Sequence, residues 1–185
     1  MPSVRRYSQA QMKELLLTLL ILVPTNVNGF FQTRKKPPSS DDYPVGNNEI
    51  YRGKPAAVIL ALRRARRYRT TLREAAKKGP NFAGHYTMVT WGSGLGTYSL
   101  AVVDAKSGKV YFPPFREVGN TSYGFTKEIN PAWRVDSKLF AVMGRLEWEG
   151  EDGVYLYAFI HNRFRLVYHT DVTSWNQMCG ATTTP

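Results

Sequence analysis

Gly79-Pro80 divides this chain into two kinds of sequence, and no regular element can run through it. Proline lacks an amide hydrogen and clashes with a preceding helical turn, while glycine takes the left-handed conformation that closes a helix. Before the break, Ala65, Tyr68, Leu72, Ala75 and Ala76 recur at spacings of three, four, three and one. At about 3.6 residues per turn they fall within roughly a 100° arc. Arg63, Arg64, Arg66, Arg67, Arg69, Arg73, Lys77 and Lys78 fill the rest of the circumference. The spacing therefore predicts one amphipathic helix with an apolar stripe and a basic back. The apolar residues 55–62 ahead of it read as a short strand, because the helical face does not extend back through them.

After the break the pattern is β. Residues 85–91, 98–104 and 109–112 are rich in Tyr, Val and Thr, and they are separated by the turn-forming runs 92–96 and 104–108. Residues 138–143, 154–161 and 164–169 repeat the plan about 54 residues on, joined by an acidic loop and the tight turn at His161-Asn162-Arg163. The expected fold is α+β, mainly antiparallel β built from two blade-like three-stranded repeats, with the basic amphipathic helix packed on the sheet. Two such units are too few to close a propeller, which takes typically four or more blades.

Charge and targeting have to be read together. The chain has 185 residues, a formal charge of +11, 43% hydrophobic residues and one cysteine, which excludes a disordered tail, a multi-span membrane protein and a disulfide-stapled mini-protein. Arg5, Arg6 and Lys13 precede an apolar run at residues 15–23 that is shorter than the roughly 20 residues a span needs. Pro24 ends the run, and Val27-Asn28-Gly29 offers a cleavage site. Residues 1–29 thus read as a signal peptide, with a buried helix of the fold as the alternative. The mature chain would be periplasmic or secreted, without a transmembrane span, and would keep 22 bases against 13 acids. Residues 30–49 read as a flexible leader, 50–172 as a single domain and 173–185 as a tail in which Cys179 is a lone thiol.

Two stretches carry resemblances. Asn130-Pro131-Ala132-Trp133 followed by Arg134-Val135-Asp136-Ser137-Lys138 resembles the lead-in of a TolB-type propeller blade, where a proline, an aromatic and an Asp-containing turn precede the inner strand. More widely, Gly79-Pro80-Asn81-Phe82-Ala83-Gly84-His85-Tyr86, the Trp91-Gly92-Ser93-Gly94 run and the segment from Val103-Asp104-Ala105 to Tyr111-Phe112-Pro113-Pro114-Phe115 resemble a family of small exported bacterial proteins. That resemblance spans about residues 51–168 and implies export and the fold, but no activity. Many of those proteins have Trp-Gly-Cys-Gly and a second cysteine where this chain has Ser93 and Thr97, so a disulfide clamp of that loop is not implied here.

Candidate sites follow from residue chemistry. His85 with Asp104 could form a base and its orienting carboxylate, and Ser93 a nucleophile; the plain alternative is a histidine that bonds the helix-to-sheet turn. The glycines of residues 92–96 could approach an anion, but a strand follows them rather than a helix, which favours a hairpin loop. Glu147, Glu149, Glu151 and Asp152 form an acidic loop without the order of an EF-hand. Three scattered histidines without paired cysteines make no zinc set, and no cofactor is expected. Tyr155, Tyr157 and Phe159 alternate along one strand, either as core or, with Trp148, as an exposed aromatic ledge. Arg63, Arg66, Arg67, Arg69 and Arg73 are the binding candidates on the helix. For an exported chain their expected partner is an acidic protein or an anionic envelope component rather than nucleic acid. The favoured function is an exported, non-enzymatic binding module of inhibitor or immunity type. A hydrolase centred on His85 and a polyanion-binding protein acting through the helix are the alternatives.

Overall fold

The helical segment forms as two helices, α1 (Arg63–Arg67) and α2 (Arg69–Ala76), in a computed structural model that describes residues 36–94, 96–119, 132–147 and 150–179. The expected signal peptide, the first residues of the leader and the last of the tail lie outside that range. Tyr68 interrupts the helix with φ −105° and ψ 24°, and its ring packs on Trp91 at 4.6 Å between centroids. The apolar stripe is otherwise as predicted: Ala65, Leu72 and Ala76 are buried, and Tyr68 and Ala75 pack beside them. Gly79 takes φ +84°, and its amide donates to the Ala76 carbonyl at 3.1 Å. That is the left-handed stop the glycine allows.

Eight strands follow: β1 (Tyr86–Gly94), β2 (Thr97–Asp104), β3 (Val110–Tyr111), β4 (Val118–Gly119), β5 (Ala132–Trp133), β6 (Leu139–Leu146), β7 (Asp152–Ile160) and β8 (Arg163–Thr170). They form one antiparallel sheet in the order β1-β2-β4-β6-β7-β8, with β3 on β2 and β5 on β6. Helix α3 (Val172–Cys179) ends the described chain. The fold is α+β and mainly antiparallel sheet.

The sheet folds back on itself. β1 and β7 are four places apart in its order, which at about 4.8 Å per strand would separate them by roughly 19 Å in a flat sheet. Yet the Tyr86 and Phe159 rings meet edge-on at 4.9 Å. The hinge is β4, which pairs at one position with β2 and at two with β6. Gly144 sits there at φ +145°, and a Cβ on it would lie 2.4 Å from the Gly119 carbonyl oxygen, so no larger residue fits the bend.

Folding back creates the core between the two halves. Tyr86, Met88, Leu100 and Val102 face Phe140, Val142, Tyr157 and Phe159. Val89, Ala101 and Val103 line the outer face of the first half and take up the stripe of α1 and α2. Leu139, Met143, Val154 and Leu156 line the outer face of the second half, where Val172 and Trp175 of α3 cover them. Strands β2 and β7 are therefore buried on both faces, which is why residues 100–103 and 154–160 form continuous apolar and aromatic runs rather than alternating ones.

Three expectations are corrected. Residues 55–62 are extended but form no strand. Only Ala56 and Ile59 donate backbone bonds, to the Ala105 and Gly108 carbonyls at 2.8 Å each, and Ile59 and Leu62 are about half exposed. The core begins before Ile50: Val45 is buried, Pro44 bridges Ser137, and the Val45 amide donates to the Asp136 carbonyl at 2.8 Å. Buried Ser137 needs that docking, because its hydroxyl donates to the Ser40 carbonyl at 2.9 Å while accepting the Leu139 amide at 3.1 Å. The tail, in turn, contributes α3 to the second outer face.

Candidate functional site

The basic helix meets the hinge of the sheet in a cleft of about 730 Å³. Arg63, Arg64 and Arg67 come from α1, Arg116 and Glu117 from the segment entering β4, and Glu147 from the end of β6. Tyr68, Ser93 and Ser99 complete the lining. The two serines belong to the helix-facing side of β1 and β2, the side on which Val89 and Ala101 meet α2.

The four arginines are not equivalent. Arg64 is half-buried: it donates to the carbonyls of Phe115 at 3.3 Å and Arg116 at 2.6 Å, and its guanidinium lies 4.4 Å above the Phe112 ring. Burial pulls its pKa below the ordinary arginine value, opposed by Tyr68 and Glu147. Arg64 thus pins residues 115–116 and with them one wall of the cleft. Arg63, Arg67 and Arg116 are exposed, and none has a carboxylate within ion-pair distance among the described residues. Their donors are available to a ligand. Glu147 holds the wall from the other side, accepting the Arg116 amide while its own amide donates to the Glu117 carbonyl at 3.2 Å.

The serines have a fixed polarity. The Ser99 hydroxyl donates to the Arg116 carbonyl at 2.8 Å, which commits its single proton. The 2.6 Å contact between the Ser93 and Ser99 Oγ atoms must then be donated by Ser93. Ser93 consequently presents only lone pairs to the cleft.

Of the other arginines singled out from sequence, Arg66 spends its guanidinium on the Leu60 and Ala61 carbonyls at 3.2 and 2.7 Å, tying down the chain before α1. Arg69 lies outside the cleft, and Arg73 lines a different groove, with Lys54, Val58 and Lys77. Tyr155 and Tyr157 are corrected as binding residues. Tyr157 is 4% exposed, stacks on Phe140 with centroids 5.5 Å apart, and has its pKa pushed up to about 12 by burial and then by Tyr155. Tyr155 is buried, donates its hydroxyl to the Glu151 carbonyl at 2.6 Å and stacks on His169. A strand flanked on both faces has no ledge to offer. Trp148 and Glu149 lie outside the described residues.

The hydrolase candidates separate. His85 Nε2 is 3.9 Å from Asp104 Oδ1, beyond hydrogen-bond reach, and Asp104 already accepts the Lys106 amide at 2.8 Å and the Ser107 hydroxyl at 2.5 Å. Asp104 therefore shapes the turn between β2 and β3. Burial, and next Lys106, hold the His85 imidazole below its ordinary value against the opposing pull of Asp104 and Glu49. Ser93 stands eight residues further along β1, which at about 3.3 Å per residue is roughly 26 Å from His85. No common substrate atom can touch both. Among the described residues no three His, Cys, Asp or Glu side chains gather as a metal set. No helix there is long and apolar enough to cross a membrane.

Fold and cleft together define a folded-back antiparallel sheet, helix-covered on both outer faces, that carries an arginine-lined cleft at its hinge. Neither a family model, nor a curated protein, nor a solved structure matches the chain.

Proposed function

We propose that this chain is an exported, non-enzymatic binding module that recognises an anionic ligand, on an envelope component or an acidic partner, through the arginine cleft. One observation carries the proposal: Arg63, Arg67 and Arg116 converge from two separate elements on one cleft without carboxylate partners among the described residues, while Arg64 is spent on holding them there. Guanidiniums left unpaired around a concavity give charge-assisted, directional bonds to an oxyanion, worth more than the same charges spread on a solvated helix. Support for export lies in the charged head and short apolar run of residues 1–23. The two three-stranded groups, β1–β3 and β6–β8, face one another as neighbouring blades do, which supports their reading as blade-like repeats.

The test compares two charge-matched double variants for binding to inorganic phosphate and to anionic vesicles. Arg63→Gln/Arg67→Gln should weaken binding by about tenfold or more, the loss expected of one or two charged hydrogen bonds. Arg69→Gln/Arg73→Gln removes the same charge outside the cleft and should cost no more than about threefold. Equal losses would mean that net charge, not the cleft, does the binding.

A further inference from the structure

We infer that the ligand of this cleft is a phosphorylated sugar rather than a bare polyanion, which rests on the anion-binding proposal above and narrows it. Four guanidiniums face two carboxylates in the lining, a surplus of two positive charges. A phosphate monoester carries about −1.5 to −2 at neutral pH, so one such group matches the surplus, and its oxygens suit the three available arginines. A carboxylate ligand would offer only two oxygens and half the charge.

The rest of the lining is wrong for a polyanion and right for hydroxyl groups. Ser93 donates its hydroxyl hydrogen to Ser99 Oγ and can only accept from a ligand. Glu117 and Glu147 are acceptors as well, and they would repel any second anionic group of a densely charged polymer. A sugar ring supplies what these groups lack, several hydroxyl donors on a rigid frame beside the phosphate. Tyr68, held against Trp91, carries the Arg67 guanidinium 5.6 Å from its ring centroid and so fixes the position of one of the three available arginines. A cleft of about 730 Å³ also exceeds what phosphate alone would fill and lies within the usual range for small-molecule sites.

Calorimetric titration at fixed ionic strength with inorganic phosphate, glucose and glucose 6-phosphate tests this. Glucose 6-phosphate should bind about tenfold more tightly than phosphate, and glucose alone far more weakly than either, as two or so added hydrogen bonds imply. Ser93→Ala should cut that preference, read as the ratio of the two affinities in the same variant, to about threefold or less. Vesicles of phosphatidylinositol 4-phosphate, whose polyol ring carries a phosphate monoester, compared with phosphatidylglycerol vesicles, separate the sources: selective capture by the former places the ring phosphate on a membrane, and its absence leaves a free sugar phosphate, with a monoester beside ring hydroxyls recognised in both cases. Equal affinities for phosphate and glucose 6-phosphate would overturn the sugar and leave the anion site standing. Binding of neither would overturn both.

Discussion

Arg64 is the residue on which the cleft's shape depends, and replacing it with methionine separates shape from charge. Methionine keeps most of the apolar stem and deletes the guanidinium. The losses are two charge-assisted bonds, to Phe115 and Arg116, and the stacking over Phe112 at 4.4 Å. Charged hydrogen bonds contribute about 1.5–3 kcal/mol when well buried. Here both are partly open to water, so about 1 kcal/mol each is the appropriate figure, and the cation–π contact adds about 0.5–1 kcal/mol. The sum is about 2.5–3 kcal/mol, or a drop in Tm of roughly 5–12 °C for a domain of this size. Urea unfolding followed by tryptophan fluorescence measures it directly. Arg63→Met, on an exposed neighbour in the same helix with no partner to lose, should change stability by less than about 0.5 kcal/mol. If Arg64→Met behaved like Arg63→Met, the guanidinium would not be holding residues 115–116, and the cleft wall would have to be placed by something else.

Leu72→Ala should destabilise the fold by about 2–4 kcal/mol in the same assay, because Leu72 is fully buried between α2 and the outer face of β1 and β2. His85 makes stability depend on pH. Its folded-state pKa lies below the unfolded value of 6.5, so the folded chain binds fewer protons, and its contribution is present above about pH 6.5 and lost as the pH falls through the folded pKa. A series of unfolding curves between pH 7.5 and about pH 5 should show that decline, and His85→Gln should flatten it; an unchanged slope would remove His85 as its source.

The elements that were legible in the sequence are those whose pattern is local. The stripe Ala65, Leu72, Ala76 and its stop at Gly79 can be read from spacing alone, since helix period and left-handed glycine are properties of a few neighbouring residues. The five long strands, and the two-residue β3, are legible for the same reason, within two or three residues at their ends. β4 and β5 are two residues each and carry no periodicity, yet β4 makes the hinge that turns one sheet into two packed halves. Without that hinge, the apolar Tyr155, Tyr157 and Phe159 are compatible with either an exposed ledge or a core. The fold-back decides it by bringing Tyr86 and Tyr111 onto Phe159 and Phe115 onto Tyr157.

The cleft was half legible. A basic helix is visible in composition, but which of its arginines are free depends on partners far along the chain: Arg64 meets carbonyls more than 50 residues away, and Arg66 is consumed by the turn before it. Arg116 and Glu117, one adjacent charged pair, and Ser99, a single polar residue between apolar ones, carry no sequence signal. The acidic loop did flag Glu147, though as a solvated loop residue rather than as the carboxylate that anchors the Arg116 amide.

The most direct measurement of the central claim is an amide NMR titration of the chain with inorganic phosphate at constant ionic strength. The amides of Arg63, Tyr68, Ser93, Ser99 and Arg116 should shift together and saturate with a single dissociation constant, while those of Arg69 and Arg73 stay in place. Shifts that instead run along the whole of α2 without saturating would contradict it, and would reduce the cleft to one part of a diffusely basic surface.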